Sequence, residues 1–170
     1  QLFKENTGLF FTLKKEKKIQ KLEEISNRRL LEAKKLAETG TTNAANRVEK
    51  ALERYEAAKE KINTRLEANP ELKKKLLEKL DANQLKHQQV LSTVTEKLRD
   101  KLPENKIKKL EKLKKTNALR WYNTNKEDVQ ARLEKAIDNN NVGSKFKQLK
   151  NIATLEELGE SLPEEAKEKI

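Results

Sequence analysis

Residues 69–102 read NPELKKKLLEKLDANQLKHQQVLSTVTEKLRDKL, and Pro103 follows. Leu72, Leu76, Leu80, Gln84, His87, Leu91, Val94, Leu98 and Leu102 recur every three or four residues, the spacing that lays one face of a helix against a core. Asn69 is placed to cap the helix start, and Pro70 suits the first helical position, where its missing N–H costs nothing. A helix over the whole stretch would be about 50 Å long at about 1.5 Å per residue. A stripe this long and narrow cannot be covered by loops, so it predicts other helices lying along it.

The same period continues on both sides. Upstream, Thr12 reads as the cap of a first helix, with Glu16 close to capping-box distance. Ile19, Leu22, Ile25, Leu30, Ala33 and Ala37 form its inner face up to about Glu38, and Thr39-Gly40 ends it, Gly40 being suited to the left-handed cap conformation. A second helix starts at Thr41, Thr42 or Asn43 and buries Val48, Ala51, Leu52, Tyr55, Ala58, Ile62 and Leu66. The connections at 39–42 and 67–69 are short, which makes the first three helices antiparallel neighbours.

Downstream, Pro103-Glu104 restarts a fourth helix with Ile107, Leu110 and Leu113 inward, and residues 117–124 end it while docking the only Trp. Thr124 and Glu127 have capping-box spacing for a fifth helix that turns Val129, Leu133, Ala136 and Ile137 inward. Residues 139–143 stop it, Ser144 caps a short segment with Phe146, Leu149 and Ile152, and Ser161-Leu162-Pro163 opens a last helix. Leu2, Phe3, Leu9, Phe10 and Phe11 read as an apolar plug at one end of the bundle. The expected fold is all-α: an elongated antiparallel bundle of three long helices, followed by shorter helices packed back onto its end. Residues 1–102 hold the N-terminal segment and the bundle, and 103–170 the shorter helices.

Only 34% of the 170 residues are hydrophobic and 39% are charged, a balance that can mean disorder. The apolar residues keep helical spacing over long runs, so the composition reads as thin helices with a small core. The net charge is +11 and uneven: residues 103–150 carry 13 basic and 6 acidic groups, residues 151–170 carry 2 and 6. Attraction between this basic middle and acidic tail, or to a polyanion, would depend on ionic strength. With no Cys, disulfides, thiolate metal sites and Cys nucleophiles are excluded. No apolar run reaches the ~20 residues of a membrane span. The absence of Met, even at position 1, reads as the mark of a fragment or a processed product.

Two features are candidates for chemistry. Lys106, Lys108, Lys109, Lys112, Lys114 and Lys115 crowd the fourth helix, and Arg120, Trp121 and Tyr122 follow. Such a run is either a solvated face or a polyanion site for a cell-wall polymer, an anionic lipid or a nucleic acid, with the last three residues adding stacking. No nucleic-acid motif accompanies it, and lysine in preference to arginine points to nonspecific attraction. His87, the only histidine, lies on the apolar stripe and reads as a buried, hydrogen-bonded side chain. A metal there would need carboxylates from other helices; a pH switch in packing is the remaining use. No Gly-rich phosphate loop exists among four glycines, and a Ser-His-Asp arrangement would have to use the inward His87. Neither an enzyme nor a cofactor is expected.

Several segments carry a family resemblance. They are Leu9-Phe10-Phe11-Thr12 before a Lys-rich helix, Arg29-Leu30-Leu31-Glu32-Ala33 before Gly40, and Leu85-Lys86-His87-Gln88-Gln89-Val90-Leu91. The Leu-Pro-Glu helix starts at 102–104 and 162–164 and the run from Ser144 to Asn151 belong with them. Together they resemble a bacterial and archaeal family of exported helical proteins catalogued as a domain of unknown function. The resemblance spans most of the chain and implies export by a signal peptide and a place at or outside the cell envelope; it supplies no catalytic residues. The leading expectation is a non-enzymatic interaction or scaffold protein of the envelope with an unknown protein partner, and exposed apolar residues beside the stripe also permit a homodimer. The alternative is a polyanion-binding module using the basic helix. A helical metal or stress sensor centred on His87 is third.

Overall fold

The computed structural model describes residues 2–39 and 42–124 and, beyond them, 131–132, 135, 156–157, 159–160 and 162–167; side chains are described from Lys14 onward, except those of 42–43, 124 and 165–166. Its long elements are α1 (Leu2–Thr39), α2 (Thr42–Glu67), α3 (Pro70–Leu98) and α4 (Glu104–Thr124), with a single helical turn at Glu164–Lys167. No strand occurs among the described residues. The fold is all-α, as the periodicity predicts. Successive helices run antiparallel: α1 packs along α2 and α3, and α3 along α4.

On α2 and α3 the predicted stripes are the buried ones; on α1 Ile19, Leu30, Ala33 and Ala37 are buried, whereas Leu22 and Ile25 are only half-buried. On α3 every position from Leu72 to Leu98 in the stripe is buried, Gln84 and His87 included. On α2 all seven predicted residues are buried, with Tyr55 wholly inside. The small side chains of Ala33, Ala37, Ala51 and Ala58 let α1 and α2 approach closely. The apolar core falls into two clusters. One joins all four helices through Leu30, Val48, Leu52, Leu91, Leu98 and Leu110. The other gathers Ile19, Ile62, Leu66, Leu72, Leu76 and Leu80 toward the opposite end.

Four local expectations are corrected. Thr12 does not start the first helix: α1 already runs from Leu2, because a lone Gly8 costs a helix only about 1 kcal/mol and no proline stands in the way. Asn69 holds the cap position of α3, yet its side chain makes no capping bond. It turns to its neighbours instead, donating from Nδ2 to the carbonyl of Arg65 at 2.7 Å and accepting from Lys15 Nζ at 2.6 Å. Next, α3 ends at Leu98 rather than Leu102. Pro103 disfavours helical geometry at Leu102, and the chain tightens into a turn with Lys101 N and Leu102 N both bonded to the Leu98 carbonyl at 3.0 Å. Finally, α4 lies along the flank of the bundle, not at its end, because Ile107 and Leu110 join the core that α1–α3 share.

The Leu-Pro-Glu echo has a common geometry. Pro103 O accepts from Ile107 N and Pro163 O from Lys167 N, each at 3.2 Å, so both prolines stand just before a helical start. The Gly40 turn, the aromatic side chains of residues 1–13, the fifth helix from Thr124, the stop at 139–143 and the segment from Ser144 lie outside the described residues.

Candidate functional site: a polar layer and its surface crevice

Between the two apolar clusters the interior is polar. Glu23, Ser26, Lys59, Asp81, Gln84, His87, Gln88 and Asn117 are each less than a tenth exposed. Their helices bring them to one height because α1 and α3 run in one direction and α2 and α4 in the other. Lys59 Nζ donates to Glu23 Oε1 at 2.9 Å, with both side chains about 5% exposed, and Asn83 Nδ2 reaches the second carboxylate oxygen at 3.4 Å. A lone charge at this depth would cost several kcal/mol, so neither partner is tolerable without the other.

His87 sits at the centre. Its Nε2 is bonded to Asn27 Oδ1 of α1, and its Nδ1 stands 3.4 Å from Tyr55 Oη of α2. The two rings meet edge to face, centroids 5.4 Å apart and planes at 82°. Tyr55 Oη donates to Asn117 Oδ1 of α4 at 2.7 Å, and Asn117 Nδ2 donates to Gln88 Oε1 of α3 at 3.0 Å. Gln84 Nε2 closes the set on the Asn117 carbonyl at 2.8 Å. One chain of hydrogen bonds therefore crosses all four helices. Burial, with Lys59 and Lys86 nearby, holds the His87 pKa well below its ordinary value, so the ring is neutral. Burial likewise pushes the Tyr55 hydroxyl well above its usual range.

A second anchor ties residue 132 to the bundle. Arg132 makes a two-pronged bond to Asp81, both contacts at 2.8 Å, and donates to the Trp121 carbonyl at 2.8 Å. Its guanidinium also lies 4.4 Å from the Trp121 ring centroid. Burial raises the Asp81 pKa and the Arg132 bonds pull it back.

The basic helix is largely paired. Lys106 and Lys109 share Glu49 at 2.7 and 3.2 Å, which holds that carboxyl below its usual pKa. Lys108 pairs with Glu104 at 2.6 Å and Lys114 with Glu157 at 3.2 Å. Glu157, in the acidic tail, is also bonded to Ser92 on α3. Arg120 bonds Glu56 at 2.5 Å and Glu60 at 2.9 Å; burial works against its charge, and the Glu56 bond and both carboxylates raise its pKa all the same. Trp121 and Tyr122 are 4% and 2% exposed, so neither presents a ring face for stacking. Lys112 and Lys115 remain exposed, and no partner for either occurs among the described residues. The predicted patch is thus not brought together as one surface.

Several openings break the described surface, and two of them border the residues above. A groove of about 200 Å³ separates α2 from α4 over Val48, Leu52, Leu110 and Leu113, bridged at its rim by Lys106, Glu49 and Lys109. A polar crevice of about 150 Å³ lies where α2 and α4 end and α3 begins, lined by Asn63, Leu66, Glu67, Lys73, Arg120 and Asn123. Behind it, an inner cavity of about 20 Å³ shares Asn63, Leu66 and Arg120 and reaches Lys59, Asp81 and Gln84. Among the described residues, no group of three His, Cys, Asp or Glu side chains is arranged to hold a metal, and no helix is long and apolar enough to cross a membrane.

The sequence reading missed the polar layer apart from Gln84 and His87. A signal was present: on α1 the apolar stripe is interrupted by Glu23 and Ser26 between Leu22 and Leu30, and on α2 Lys59 stands between Ala58 and Ile62. Interruptions at matching heights on neighbouring helices mark a polar layer.

A family model described as Domain of unknown function (DUF5667) matches residues 1–101, more than half of the chain, and the chain belongs to that family. No curated protein and no solved structure matches it.

Proposed function

We infer that this member of the DUF5667 family is a non-enzymatic interaction or scaffold protein, exported and acting at or outside the cell envelope on a protein partner. The observation that supports this above others is where the reactive side chains point. His87 is engaged by Asn27 and Tyr55, Glu23 by Lys59 and Asp81 by Arg132. Acid–base catalysis needs such groups aimed at a substrate; here they are aimed at one another and hold helices together. Export is what the family resemblance implies and belongs to the same proposal.

A polyanion-binding role is the second reading, favoured by exposed Lys112 and Lys115 beside Lys108, whose ion pair is highly exposed. Pairs as exposed as Lys108–Glu104, 70% and 80%, contribute about 0–1 kcal/mol and can exchange for a phosphate. The sensor reading is third: a metal at His87 would have to displace Asn27 or Tyr55.

Retention of the full chain on heparin across a salt gradient, beside a Lys108/Lys109/Lys112→Glu variant, separates the first two readings. The scaffold reading expects both proteins to elute near physiological salt. It also expects an envelope protein to stay bound at about 0.5 M salt, where charge interactions reach only about 4 Å. Late elution of the wild type with early elution of the variant would overturn it in favour of the polyanion.

A further inference from the structure

The crevice at the meeting of α2, α3 and α4 carries chemistry that a scaffold does not use. Glu67 is the last residue of α2, and Lys73 lies in the first turns of α3. Both line the same cavity, and they do not bond each other. Elsewhere on this bundle lysines close to a carboxylate take it: Lys75 bonds Glu16 at 2.6 Å and Lys135 bonds Glu78 at 2.9 Å. Among the described residues, the side chains of Glu67, Lys73, Asn63 and Asn123 have no hydrogen-bond or ion-pair partner. One small cavity therefore gathers a carboxylate, an ammonium and two amides with unused bonding capacity, over an apolar floor at Leu66. Ligand sites are built this way, a concave apolar surface with a few converging polar groups.

The geometry points to a binding site for a small zwitterion, a free α-amino acid. Its carboxylate would lie on Lys73 and its ammonium on Glu67, with the amides of Asn63 and Asn123 able to donate to the first or accept from the second. Arg120 adds positive potential to the wall while remaining bonded to Glu56 and Glu60. The volume of about 150 Å³ is well below the ~300–1,000 Å³ of clefts for drug-sized molecules and is on the scale of a single amino acid. The inner cavity of about 20 Å³ accepts one water or the tip of a short side chain, next to Gln84 and Asp81. A molecule with one charge alone would engage only one of Glu67 and Lys73.

The test is thermal shift and calorimetry on the full chain with glycine, alanine, serine, glutamine and glutamate, using acetate and methylammonium as single-charge controls. At least one amino acid should raise the melting temperature saturably, and neither control should do so at the same concentration. Lys73→Met and Glu67→Gln should each weaken binding about tenfold or more, the loss of one charge-assisted hydrogen bond. Their unliganded melting temperatures should stay at the wild-type value, because neither residue is buried. Three results would overturn the proposal: no saturable binding by any amino acid in the panel, binding that both variants retain, or acetate binding as tightly as the amino acids.

Discussion

His87 is buried with Asn27 and Tyr55 on its ring nitrogens, and Lys59 and Lys86 act on it as like charges, so a proton added to the ring is disfavoured first by burial and then by these lysines. Its folded pKa is held below 6.5, so as pH falls through that value the unfolded chain takes up the proton first. The stability from neutral His87 is therefore complete above about pH 6.5 and is lost as pH falls toward the folded pKa. Lowering the pH from about 7.5 to about 5.5 should therefore reduce the stability of the folded chain. Thermal unfolding at these two values should show the drop, and His87→Gln should flatten it; an equal drop in the variant contradicts the assignment. The Glu23–Lys59 pair gives a second residue-level test. Glu23→Ala or Lys59→Ala alone should cost about 3–5 kcal/mol in urea unfolding, since each leaves a buried charge uncompensated. Glu23→Leu combined with Lys59→Met should cost far less than the two singles together, and additive losses would contradict the pairing.

At the scale of elements, the interior face of α3 was legible from Leu72 to Leu98 because burial and helical period are written into the same residues. The pairings were not. Tyr55 meets Asn117 across 62 positions and His87 meets Asn27 across 60, and nothing in a periodic pattern says which polar residues of two helices stand at one height. The same limit explains Trp121 and Tyr122: beside Arg120 they read as a stacking surface, and only the packing of α4 against its neighbours turns them inward. Asn69 shows a local version, for its cap signal is correct in position while its side chain serves α1 and α2. Asn69→Ala should cost about 0.5–1.5 kcal/mol in thermal unfolding, the range of one net hydrogen bond at a partly exposed site. Asn69→Asp keeps the acceptor for Lys15 and loses the donor to Arg65, and should fall between the two. A variant equal to wild type would show that the interhelical bonds contribute nothing.

For the whole molecule, the family match ends at residue 101, yet the structure does not close there. Ile107 and Leu110 of α4 complete a core cluster begun by α1–α3, and Asn117 bonds Tyr55, Gln84 and Gln88 Oε1 at once. Removing α4 would take the Asn117 bonds from all three and uncover the core cluster that Ile107 and Leu110 complete. The polar layer thus predicts that α4 belongs to the unit that unfolds, and that it favours one register of the four helices where apolar packing alone would tolerate several. Native-state hydrogen exchange on the full chain tests this most directly. If the layer unites the bundle, the slowest amides of α4 around 110–121 open with the same free energy as those of α3 around 84–94, in one cooperative step. If α4 amides exchange through a separate, lower-energy opening while α1–α3 stay protected, the four helices are not one unit, and the hydrogen bonds through Asn117 do not bind them together.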